Sequence, residues 1–87
     1  MKGASLITDN IIIWGTEYGK VRCKLKKILK RKELNLYQLE RLTGIKYDVL
    51  KRYAKNEIIR YDSIVLAKLC FALECEINEL LQYEVKK

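Results

Sequence analysis

The stretch LTGIKYDVLKRYAKN, residues 42–56, carries an apolar and polar pattern of helical period that is interrupted by Gly44. Glycine adopts the left-handed backbone conformation at little cost, which predicts that one helix ends there. Ile45 and Leu50 have the spacing of a hydrophobic staple at the start of another helix. The stretch therefore predicts a sharp turn that is followed by a helix over about residues 46–55.

The residues before this turn contain the start signals of a preceding helix. Asn35 and Gln38 have the spacing of a capping box, so we expect this helix over residues 36–43. Two short helices joined by a turn with glycine form a candidate helix-turn-helix unit, for which the alternative is an ordinary helical hairpin. Polar side chains on the second helix favour the helix-turn-helix interpretation, because in such a unit they can reach base edges or phosphates of DNA.

Helical periodicity covers most of the remaining chain. We expect the first helix to begin near Tyr18, the fourth to be capped by Asp62, and the last to contain Leu81. The predicted fold class is all-α, a compact bundle of about five short helices with a short N-terminal extended arm or strand. The predicted domains are an arm over residues 1–20, a helical domain over residues 21–84 and a tail over residues 85–87.

The run IIIW, residues 11–14, is the β-prone part of the N-terminal arm. Because a lone apolar strand needs a cover, three roles stay open: contact with a second copy, packing on its own domain, or a disordered arm. The start of the chain lacks the apolar region of a signal peptide, and no apolar run approaches the ~18 residues of a membrane span. We therefore expect a cytoplasmic protein with no membrane partner.

The net charge of +7 is concentrated in one block of the chain. Residues 20–32 contain eight Lys and Arg residues and no acidic residue. Such a block is typical either of a surface that attracts a polyanion or of a solvated helix face. Both interpretations stay open for the basic residues of the first helix.

The cysteine content argues against metal chemistry. Cys23, Cys70 and Cys75 occur without any histidine, which excludes an ordinary four-ligand zinc site, and we expect reduced thiols with packing roles. The sequence has no catalytic Ser or Cys constellation and no glycine-rich phosphate loop, so we do not expect an enzyme. No cofactor is implied, and no small-molecule effector is evident.

Several separated motifs resemble one family of regulators. They are LERLTGI at residues 39–45, Leu50, KNE at residues 55–57 and LAKLCFALECEINELLQY at residues 66–83. On these motifs, residues 21–83 resemble the Cro/C1-type (XRE-like) helix-turn-helix DNA-binding domains, in particular the YozG-like subset of small bacterial transcriptional regulators. The resemblance implies a lambda-repressor-like fold and a sequence-specific regulator, most often a repressor, that binds a palindromic double-stranded DNA operator as a homodimer. The expected dimer surfaces are the last helix around Leu80 and Tyr83, and the arm.

The resemblance also implies which residues meet DNA. The helix over residues 46–55 would enter the major groove as the recognition helix. The side chains implied to contact bases are Lys46, Tyr47, Asp48, Lys51 and Arg52. Those implied to contact phosphates are Asn35, Tyr37, Gln38, Lys55, Asn56 and Arg60.

Four positions depart from the family pattern. Leu36 stands where many relatives have a DNA-contacting Gln, Glu40 where a small Ala is usual, and Lys46 where a Ser or Thr caps the helix. Asp48 would place a carboxylate in the groove, where it is repelled unless it accepts from a cytosine amino group. Leu36, Glu40 and Asp48 motivate an alternative function, a protein-interaction module such as an antitoxin or anti-activator that uses the same fold to hold a protein partner.

Overall fold

The computed structural model describes residues 18–86. Its elements are, in chain order, β1 (Lys20–Cys23), α1 (Leu25–Lys32), α2 (Leu36–Thr43), α3 (Tyr47–Ala54), α4 (Ser63–Leu73), α5 (Ile77–Leu80) and β2 (Leu81–Glu84). The predicted five helices are confirmed, and a small antiparallel sheet of β1 and β2 accompanies them. The run at residues 11–14 lies outside the described residues, so its role stays a prediction.

Leucines from every helix meet in one core. The fully buried leucines are Leu25, Leu39, Leu50, Leu69, Leu73 and Leu80. Helices shorter than about 12 residues are marginal in water on their own, so packing of these side chains is what stabilises them. Among the described residues, none of the helices has the length and apolar character needed to cross a membrane.

The turn between α2 and α3 has the predicted conformation. Gly44 has a φ of +78°, and its N–H donates to the Glu40 carbonyl at 2.8 Å. A Cβ at this position would meet open space, so backbone conformation rather than crowding explains the glycine. The Thr43 hydroxyl donates to the Leu39 carbonyl at 2.8 Å and accepts from the Ile45 N–H at 3.1 Å, which satisfies polar backbone groups of the turn.

The N-terminal caps of α2, α3 and α4 agree with the sequence. Asn35 accepts from the Gln38 N–H at 2.8 Å while the Gln38 side chain accepts from the Asn35 N–H at 2.9 Å, which confirms the predicted capping box. The predicted Asp62 cap of α4 is also confirmed, because its carboxylate accepts from two N–H groups in the first turn. Lys46 precedes α3 without a side-chain cap bond, as expected for a residue that replaces Ser or Thr.

The predicted start of the first helix is wrong. Residues Lys20–Cys23 form β1, which pairs with β2 so that Val21 lies opposite Tyr83. A segment of only four residues fits both the helical and the alternating pattern, so its sequence does not distinguish a helix from a strand. The strand that it pairs with, β2, comes from the other end of the domain. The close approach of the two chain ends also requires Gly19, because a Cβ there would overlap the Glu84 carbonyl. The helix α1 therefore begins only at Leu25.

The predicted final helix is longer than the observed one. The helix α5 has four residues, and Leu81 already belongs to β2. Leu80 is fully buried in its own chain, so it cannot contribute to the expected dimer surface. Tyr83 lies on β2 and is exposed, so this part of the expected surface remains accessible.

Asn56 joins the end of α3 to β1. Its φ is +60°, a left-handed conformation that Asn tolerates better than most residues. The side-chain Oδ1 accepts from the Cys23 N–H at 2.6 Å, and Nδ2 donates to the Cys23 carbonyl at 3.1 Å. The amide thus pairs with the backbone of β1 much as a neighbouring strand would.

The three cysteines are free thiols that pack in or against the core, as predicted. Burial raises the pKa of the Cys23 thiol above its ordinary value, although a hydrogen bond with the Leu25 backbone lowers it in part. Burial also raises the pKa of the Cys75 thiol, and the neighbouring Cys70 adds to this effect. Raised pKa values keep these two side chains in the neutral form that suits an apolar environment.

Candidate nucleic-acid interface

The helix α3 presents an apolar side to the core and a polar side to solvent. Leu50 and Tyr53 are buried, and Val49 packs against the core at its edge. The predicted base-contacting side chains Lys46, Asp48, Lys51 and Arg52 are all exposed, and Tyr47 is half-buried. This arrangement leaves the start and one side of α3 accessible, as insertion into a major groove requires.

A groove lies between α1, the start of α2, and α3, with a volume of about 550 Å³. Its apolar lining residues are Leu29, Leu34, Leu36, Tyr37, Tyr47 and Ala54. Its polar lining residues are Lys26 and Lys30 on α1, Asn35, and Lys51 and Lys55 on or next to α3. We call this site the lysine groove. It brings together five predicted contact residues, namely Asn35, Tyr37, Tyr47, Lys51 and Lys55.

Two tyrosines in the lysine groove contact each other. The rings of Tyr37 and Tyr47 stack with centroids 4.5 Å apart and an interplanar angle of 25°. Such a pair contributes about 0.5–1.5 kcal/mol beyond the area that it buries. The stack joins the first turn of α2 to the first turn of α3, so neither ring is an isolated surface side chain.

A second hollow lies on the other side of α3, with a volume of about 660 Å³. It is lined by Arg52 and Arg60, by the acidic residues Glu57 and Asp62, and by apolar residues including Val49. We call it the arginine hollow. It brings a predicted base-contacting residue and a predicted phosphate-contacting residue to one site. Neither of the two ion pairs between described residues involves these arginines.

Three residues with side-chain amides were predicted to contact phosphates, and they differ in how many of their amide atoms already form hydrogen bonds within the protein. The side-chain oxygens of Asn35 and Gln38 accept the hydrogen bonds of the capping box, so their amide nitrogens remain as donors. Asn56 uses both its oxygen and its nitrogen on the Cys23 backbone. A phosphate contact by Asn56 stays a prediction, and it would compete with these two bonds.

Lys26 and Lys30 were not among the predicted contact residues, yet both line the lysine groove. They also line a further hollow of about 820 Å³ between β1, α1 and the end of α3, together with Lys24, Lys27 and Lys55. A signal was present in the sequence, because Lys26 and Lys30 have the spacing of neighbours on one helix face. The sequence alone could not show that this face lies beside α3.

Comparison with known proteins identifies the family. The family model of the Cro/C1-type HTH DNA-binding domain matches residues 24–86. The chain belongs to this family. The predicted resemblance is thus confirmed, and the matched range runs from α1 to β2, with the arm outside it.

A relative of this Cro/C1-type domain occurs in Bacillus subtilis (strain 168). It is the SPbeta prophage-derived uncharacterized HTH-type transcriptional regulator YopS. The two sequences are 29% identical over 68 residues, which cover 76% of this chain and 89% of the relative.

Proposed function

We propose that the chain is a sequence-specific transcriptional regulator, acting as a repressor, that inserts α3 into the major groove of double-stranded DNA. The observation that carries this proposal is the accessible polar side of α3 in a domain of a DNA-binding family. In this arrangement, residues on the polar side of α3 contact base edges while Lys55 and Arg60 contact phosphates. The name of the relative, an HTH-type transcriptional regulator, supports the same function.

The regulator is proposed to act as a homodimer on a palindromic operator. A single recognition helix buries too little surface for high specificity, whereas two helices spaced by about 34 Å read two half-sites. The surface that we propose for the second copy is the ribbon around Tyr83 and Val21, which are paired and exposed. Among the described residues, β2 has no second strand beside it, and such an edge favours pairing with another chain.

The test is a fluorescence-anisotropy titration with the duplex upstream of the protein's own coding sequence and a scrambled duplex of equal length. Both titrations are repeated at two salt concentrations, because phosphate contacts give a salt-dependent affinity. We expect tighter binding to the upstream duplex, and mass measurement of the complex should show two protein chains. Equal affinity for the two duplexes would remove the sequence-specific part of the proposal.

Two substitutions separate base contacts from phosphate contacts. Arg52→Ala should weaken binding to the specific duplex by about 1–3 kcal/mol and leave scrambled binding nearly unchanged. Arg60→Ala should weaken binding to both duplexes and lower the salt slope by about 1. Lys68→Ala is the control, because Lys68 is an exposed cation on α4 that lines a different hollow. If all three variants behave alike, the assignment of α3 as the recognition helix is wrong.

A second candidate function, the protein-interaction module, is favoured by one specific observation. Leu42, Ile64 and Phe71 are exposed and line a hollow of about 470 Å³ between α2 and α4. Large exposed apolar side chains that cluster in this way are typical of protein contacts. Co-purification with a stoichiometric partner through this surface, together with salt-independent or absent DNA binding, would favour this function over the first.

A further inference from the structure

The two walls of the lysine groove carry cations in pairs. Lys26 and Lys30 lie on α1, and Lys51 and Lys55 lie on or directly after α3. All four side chains are exposed, and neither ion pair between described residues includes them. Carbon atoms of Leu29 and Ala54, among others, line the space between the walls.

The lysine groove differs in charge from the arginine hollow on the other side of α3. Glu57 and Asp62 line the arginine hollow beside its two arginines, whereas none of the described residues that line the lysine groove is acidic. Four ammonium groups around one groove repel each other, and an anion in the groove relieves that repulsion. The groove is therefore suited to a ligand that carries several negative charges in a row.

The lysine groove is also continuous with the polar side of α3, which is proposed to contact bases. Tyr47 and Lys51, which are expected to contact bases, line the same groove as Lys26 and Lys30. A DNA strand whose bases meet α3 has its phosphates next to those bases, with one phosphate for about every 3.4 Å of helix axis on each strand. Such a strand would bring a row of phosphates towards α1.

We propose that the lysine groove holds the sugar–phosphate backbone of one DNA strand, with Lys26 and Lys30 contacting phosphates opposite those contacted by Lys55. This inference rests on the proposed function, because it requires α3 to face a DNA duplex. In this arrangement, basic residues of α1 contact DNA phosphates directly. The two other interpretations of the basic block are a solvated helix face and a long-range attraction without contact. The carbon atoms that line the groove suit the deoxyribose rings between the phosphates.

The experiment compares two double variants that remove the same charge. Lys26→Gln/Lys30→Gln alters one wall of the groove, whereas Lys32→Gln/Lys68→Gln removes two exposed cations that do not line it. Affinities for the upstream and the scrambled duplex are measured by anisotropy at several salt concentrations. Thermal unfolding checks that both variants fold, and acetylation mapped by mass spectrometry reports which lysines the duplex protects.

The groove variant should lower the salt slope by about 2, since each phosphate contact contributes about 0.9. It should weaken binding to both duplexes by the same factor. In the wild-type protein, the duplex should protect Lys26 and Lys30 from acetylation more than Lys32 and Lys68. The control variant should leave the slope nearly unchanged. Equal slopes for the two variants, or equal acetylation of all four lysines, overturn the inference and leave the proposed function standing. Wild-type protein that binds neither duplex overturns both.

Discussion

The helix-turn-helix unit of α2 and α3 and the ribbon of β1 and β2 are stabilised in different ways. The unit has Leu39 and Leu50 fully buried, and its turn is satisfied by groups that are close in sequence. The ribbon joins the two ends of the described chain, and three of the four residues of β1 are exposed. Its side-chain ion pair, Arg22 with Glu84 at 3.1 Å, is also open to solvent.

This difference predicts two levels of stability in one small domain. Burial of apolar side chains is the dominant favourable term in folding, whereas exposed ion pairs contribute little. We therefore expect the helix-turn-helix unit to open only with the whole domain and the ribbon to open locally at lower free energy. If α3 enters the major groove as proposed, a rigid unit would keep its side chains in register with base edges, which a locally opening element would not do.

The largest expected effect comes from the core of the helix-turn-helix unit. Leu50→Ala should lower the free energy of unfolding by about 2–5 kcal/mol, because it deletes a fully buried side chain and leaves a cavity. Urea unfolding followed by circular dichroism measures this change. Leu42→Ala is the matched control, since Leu42 lies on α2 but is exposed, and it should change stability by less than about 0.5 kcal/mol. Similar losses for both variants would contradict the burial argument.

The next effect should arise where the two regions are joined. Asn56→Ala should cost about 2–3 kcal/mol, because it removes both hydrogen bonds to Cys23 and places an alanine at positive φ. Asn56→Gly keeps the conformational freedom and loses the amide, so it should cost about 1 kcal/mol from the hydrogen bonds. Hydrogen exchange at the Cys23 amide should accelerate in both variants. An unchanged exchange rate would show that Asn56 does not hold β1.

A smaller change is expected at the turn itself. Gly44→Ala should destabilise the domain by about 1 kcal/mol, because alanine is strained at a φ of +78° even though its methyl group has room. The reverse test is Glu74→Gly at the end of α4, where a φ of +52° already strains a non-glycine residue. This variant should stabilise the domain by about 0.5 kcal/mol. If the melting temperature falls in Gly44→Ala and rises in Glu74→Gly, the conformational explanation is supported. Changes of the same sign in both variants argue against it.

The smallest effect is expected for the ribbon. Arg22→Ala removes a solvent-exposed ion pair, so the free energy of unfolding should fall by at most about 0.5 kcal/mol. Amide exchange in β1 should increase more than exchange in α3. A loss as large as that of Leu50→Ala would show that the ribbon is part of the same cooperative unit as the core.

The start and end of α2 and the turn to α3 could be predicted because their causes are local. A capping box needs two residues at a fixed spacing, and a left-handed turn needs a residue such as Gly44 that tolerates it. The inward side of α3 also followed in part from the staple spacing of Ile45 and Leu50, which are both buried. These features depend on one segment of chain at a time.

The candidate interface was predicted in part for the same reason. The sequence indicated which side chains of α3 are exposed, and it indicated a basic block in the first helix. It did not indicate that Lys26 and Lys30 line a groove with Lys51, because that depends on how α1 packs against α3. It also left Tyr37 and Tyr47 as separate surface residues, although the packing of α2 on α3 stacks their rings.

By itself, the sequence determined a helical domain with a glycine turn, a polar outer side on the helix after that turn and a concentrated positive charge, since periodicity, capping and composition are read within one segment. Only the tertiary structure decided that residues Lys20–Cys23 form a strand and that Asn56 pairs with it. Four residues have no strong preference of their own, so their conformation depends on the hydrogen-bond partner that the fold supplies from β2. The same reason explains the lysine groove, because a surface shared by two helices exists only after the core has placed them side by side.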